Sequence, residues 1–93
     1  MAIAFTARPL YSQRLTELYT LGYRALVGAI TQALRRAVER GEAAPGIDPE
    51  HDAVQAVAVA DGLAWHALCA PSALAAEEAL ASLDAYLARL LPD

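Results

Sequence analysis

The sequence predicts an all-α domain of three to four helices packed as an antiparallel bundle. Three observations predict it. Apolar residues recur at spacings of three and four over long stretches. Alanine is abundant, and β-branched residues are few outside Val54–Val59, a composition that favours helix. Proline occurs only between those stretches or near the chain's ends, and no run alternates with period two.

The elements follow in order. Residues 1–9 are weakly patterned and end at Pro9, with Ile3 and Phe5 expected to lie against the rest. From about Leu10 to Arg40, Leu15, Tyr19, Gly22, Leu26, Ile30, Ala33 and Ala37 trace one helical face. The stretch is either one long helix or two divided by a break near Ser12–Thr16, since either residue can cap a helix. Arg35, Arg36 and Arg40 crowd its C-terminal end, where positive charge offsets the helix dipole, and Gly41 is placed to end it. Pro45-Gly46 signals a turn. Asp48 then caps a second long helix, with Pro49 at its first position and Glu50 in its first turn.

That helix is expected to reach about Cys69, before Pro71. Val54, Val57, Ala58, Trp65 and Leu68 lie on one side, and Ala56, Ala60, Leu63 and Ala67 carry the apolar surface further round. A helix apolar most of the way round is normally buried on more than one side. The last helix spans roughly Ala76 to Leu91, where Leu80, Leu83, Leu87 and Leu90 form an a/d seam two heptads long.

Composition excludes several functions. The chain of 93 residues is one small domain, with seven arginines, no lysine, eleven acids and a net charge of −4. Such a balance, without a basic run, argues against nucleic-acid contact by this chain. The lone Cys69 rules out an internal disulfide and is read as a buried small hydrophobe. No secretory signal or membrane span is visible, so a cytoplasmic location is expected. No phosphate loop, nucleophile elbow or zinc motif appears, so neither enzymatic activity nor a cofactor is expected. Glu77 and Glu78 point about 100° apart and serve the helix dipole.

The surplus apolar face of the penultimate helix implies a partner. The simplest is a second copy, with the last two helices of each chain forming a two-fold four-helix bundle over roughly residues 49–91. Val54, Ala58, Asp61, Gly62 and Trp65, with Leu80, Leu83, Leu87 and Leu90, are the interface candidates. Tyr19, Tyr23, Trp65 and His66 are the candidates for lining a small-molecule site, with Tyr11 a further aromatic. Packing alone would equally account for the rings, and a simple hydrogen bond for His66.

These stretches also resemble a known family. A long helix ending in ALRRAVERGE, then PGIDPEHDA, then VADGLAWHALCAPSALAAEEALASLDAYLARLL is similar to the C-terminal regulatory domain of TetR-family regulators of the betaine-repressor type. Asp61-Gly62-Leu63 and Leu83-Asp84-Ala85-Tyr86-Leu87, with Leu90, carry the resemblance, which runs from about Ala4 to Leu91. It implies one helical domain, residues 1–93, that dimerises through its last two helices and binds a small-molecule inducer. It also implies that the DNA-binding helix-turn-helix of such regulators lies outside this sequence. The competing reading is a stand-alone homodimeric interaction module with neither DNA nor ligand.

Overall fold

The computed structural model describes residues 9–92, and side chains from Gln13 onward. Three helices account for it: α1 (Pro9–Glu39), α2 (Pro49–Cys69) and α3 (Ala76–Leu90). The chain is all-α, and no strand occurs among the described residues. Ile3 and Phe5 lie outside the described residues, and so does the side chain of Tyr11.

The helix ends follow the local chemistry. Gly41 adopts a φ of 72°, a left-handed conformation that a Cβ would disfavour. This allows Gly41 N–H to donate to Val38 O at 3.1 Å and Glu42 N–H to donate to Ala37 O at 2.8 Å, the paired closure that ends α1. Gly46 (φ 81°) turns the chain after Pro45. Asp48 then caps α2: its Oδ1 accepts from His51 N–H at 3.4 Å, and its own N–H donates to Asp52 Oδ2 at 2.9 Å. Pro49 sits where no intrahelical donor is needed. The start of α3 is weaker. Glu78 Oε1 accepts from Ala75 N–H at 3.0 Å, but the N-cap alanine has no acceptor to return the bond.

Of the two alternatives for the first stretch, one long helix or two, the structure has the first: α1 is one helix of 31 residues. At 1.5 Å per residue it is about 46 Å long. The 21 residues of α2 reach about 31 Å, so part of α1 runs past its neighbour.

The packing order is α1–α2–α3. Both outer helices pack on α2, while α1 and α3 do not pack on each other among the described residues. Each pair is antiparallel. Arg35, near the end of α1, pairs with Glu50 at the start of α2. Ala44 N–H, just before α2, donates to Leu90 O at the end of α3 at 2.8 Å. The two faces expected of α2 therefore both find neighbours within the chain.

The faces chosen differ from those read in the sequence. On α1 the more buried positions are Thr20, Tyr23, Val27, Ile30, Thr31, Leu34 and Ala37. The expected stripe shares only Ile30 and Ala37 with it, and Leu15, Tyr19 and Leu26 are exposed. Thr31 is buried at no polar cost, because its hydroxyl donates to Val27 O at 2.8 Å. On α3 the inward stripe is Ala79, Leu83, Tyr86 and Leu90. The Leu seam is thus split: Leu83 and Leu90 turn in, while Leu80 and Leu87 stay exposed. Cys69, expected to be buried, is exposed.

The buried apolar positions are Leu34, Ala37, Ala53, Ala56, Val57 and Ala79. All but Ala79 lie toward the end of the molecule where the α1–α2 loop and the C-terminus of α3 meet. Leu34, 3% exposed, is the largest of them, and Leu34→Ala should cost about 2–5 kcal/mol in chemical denaturation. Ala75→Ser should supply the missing cap and add about 1 kcal/mol, read as a higher denaturation midpoint with an unchanged slope.

Candidate functional site

The antiparallel crossing sets the first half of α1 against the second half of α2. Leu18, Gly22 and Leu26 recur every fourth residue on α1, and the rings of Tyr19 and Tyr23 stack beside them, centroids 6.4 Å apart and planes 20° apart. Val57 and Asp61 close the other wall from α2, leaving an open trough of about 350 Å³. Gly22 leaves room: nothing lies within 4 Å of where its Cβ would stand. The same holds at Gly28 and Gly62, so close helix approach within the chain does not explain these glycines.

The trough continues into a shallower depression of about 430 Å³, lined by Tyr19, Asp61, Ala64, Trp65 and Leu68. Trp65 is 62% exposed and Leu68 is 74% exposed. A third hollow, about 300 Å³, is the α2–α3 groove, where Ala60, Leu63, Ala64 and Ala67 face Ala76, Ala79, Leu80 and Leu83. Ala64 belongs to both.

The trough and its extension offer apolar and aromatic walls, two phenol hydroxyls, one carboxylate and no basic side chain. Asp61 makes no ion pair among the described residues. Such a surface suits an apolar or amphipathic molecule that is uncharged or cationic, and it repels anions through Asp61. Among the described residues no three His, Cys, Asp or Glu side chains come close enough to hold a metal ion.

The candidate residues thus fall in definite places. Tyr19, Tyr23 and Trp65 border one continuous surface. His66 is exposed and lines none of these hollows, because the residue after Trp65 points about 100° away from it. Of the interface candidates, Val54, Ala58, Asp61, Trp65, Leu80 and Leu87 are exposed, while Gly62, Leu83 and Leu90 are half-buried. Leu18, Leu26, Ala64 and Leu68 were not among the candidates. For two of them the signal was present: Leu18-Gly22-Leu26 puts a gap between two leucines at helical spacing.

No described helix is long and apolar enough to cross a membrane. No curated protein and no solved structure matches the chain. The family model for the C-terminal domain of BetI-type transcriptional repressors does match it, over residues 1–92. That family is one of transcriptional regulator domains, not of enzymes. With a match over almost its whole length and the all-helical architecture described above, the chain belongs to the BetI-type C-terminal domains of the TetR regulators.

Proposed function

We propose that this chain is the effector-binding and dimerising domain of a cytoplasmic TetR-like transcriptional repressor. The family match over residues 1–92 is the observation that carries the reading. The trough beside Tyr19, Tyr23 and Asp61 supports an effector site, and the exposed apolar surface of α2 and α3 supports a second copy as partner. DNA reading is assigned to a helix-turn-helix outside these residues, since an acidic, lysine-free domain is poorly suited to a phosphate backbone.

The mechanism follows from linkage. An effector in the trough contacts α1 and α2 together, so it favours the arrangement of those helices that fits it best. Whatever arrangement it favours is passed to the paired subunits and changes the spacing of the two DNA-reading heads. By reciprocity, operator DNA and effector each alter the affinity for the other by the same factor.

Filling the trough tests the site without disturbing the core. Gly22→Phe places a ring in open space on an exposed part of α1, so the variant should fold. Uncharged and cationic amphipathic compounds would be screened for a rise in unfolding temperature. A compound at a hundredfold its Kd should stabilise the wild-type chain by about 2.7 kcal/mol. The same compound should leave Gly22→Phe unmoved. Equal stabilisation of both proteins would put the binding site elsewhere.

A further inference from the structure

We infer that the end of α1 carries a second binding site, for a small organic monoanion: a carboxylate with an apolar body. Neither the effector trough nor the dimer is needed for it. The site is a fourth hollow, of about 330 Å³, open to solvent between the last turns of α1 and the residue that follows α3. Ala33, Arg36, Ala37 and Arg40 line it from α1, Glu42 from the loop and Leu91 from the far side.

The fold explains why a hollow exists there. The two outer helices end side by side, each packed on α2, and they do not pack on each other among the described residues. The gap between their ends has an apolar floor, built from Ala33, Ala37 and Leu91. Its polar part comes from the two arginines.

Positive charge at a helix C-terminus offsets the dipole, and that effect alone asks for no particular face. Arg35 pairs with Glu50 of α2. Arg36 and Arg40 stand apart from it. They are four residues apart on one face, with Cβ atoms about 6 Å from each other, and both line the hollow. Neither forms an ion pair among the described residues. The carbonyls of Ala37 and Val38, which would repel an anion, already accept from Glu42 N–H and Gly41 N–H.

The charge of the lining selects the ligand. Two guanidinia and one carboxylate leave one net positive charge, which matches a monoanion. A guanidinium presents its donors as a planar fork that fits a carboxylate. The apolar floor gives the body of such an acid a place to lie. Arg36 lies about 20 Å along α1 from Tyr23, so this site and the trough are separate, and their charge preferences are opposite. An occupant touches α1 and the end of α3 together. It therefore joins two helices that otherwise meet only through α2 and stabilises the folded chain by mass action.

Benzoate is a suitable probe, with benzamide as its uncharged counterpart. Each would be titrated into the full chain at constant ionic strength while backbone amide NMR shifts are followed. Benzoate in an open site should bind at about 1 mM. The expected result is saturable movement of amides 33–42 and 91 with benzoate, and much less with benzamide. Arg36→Gln and Arg40→Gln replace exposed side chains with another good helix former, and each should weaken benzoate about tenfold. Glu42→Gln removes the opposing charge and should tighten it. Amides that stay still at roughly ten times the expected Kd would overturn the site. Equal binding of benzamide would also overturn it, as would shifts confined to the trough around Tyr19 and Asp61. The comparison of the two probes on the wild-type chain decides the matter even where an arginine variant does not fold.

Discussion

The contact between the end of α1 and the start of α2 is what the rest of this structure depends on. Leu34 and Ala37 from one helix and Ala53, Ala56 and Val57 from the other make up nearly all the buried apolar side chains. Three of the five are alanines, each hiding a single methyl group worth about 0.8 kcal/mol. Ordering one residue's backbone costs about 1–2 kcal/mol. Apolar side chains remain exposed on all three helices, among them Tyr19 on α1, Trp65 on α2 and Leu80 on α3.

Polar detail holds the same end together. The glycine closure of α1, the Asp48 cap of α2 and the Ala44–Leu90 hydrogen bond converge there. The Arg35–Glu50 pair joins α1 to α2 at the same place, though both side chains are largely in water, so its share is small. Fastened at one end, the helices leave the other end open. The trough, its extension past Trp65 and the α2–α3 groove all lie toward that open end. The molecule is accordingly extended, with a Cα radius of gyration of 16.0 Å where a compact chain of this length would have roughly 12 Å.

Helix ends were legible in the sequence because each has a local cause. Asp48-Pro49, Pro45-Gly46 and Gly41 act through their own backbone and side-chain chemistry, and they appear where the residues imply. The family was legible from the order of short phrases such as Asp61-Gly62-Leu63, which survives wherever the helices point. Helix faces were not legible. On α1, Leu15-Tyr19-Leu26 and Tyr23-Val27-Leu34 are both apolar, and only the side on which α2 packs decides between them. On α3, the leucine seam competes with a stripe led by Ala79, whose small side chain lets α2 approach more closely than Leu80 would. The same ambiguity put Trp65 among both ligand and interface candidates. Its place where the trough runs on toward the groove shows why periodicity alone could not separate the two.

On the dimeric reading proposed above, this chain gains much of its stability from association. Thermal unfolding across a wide range of protein concentration tests it most directly. If the folded state includes a partner, mass action requires the Tm to rise steadily with concentration. A Tm independent of concentration would show that the thin core suffices alone, and it would contradict the account.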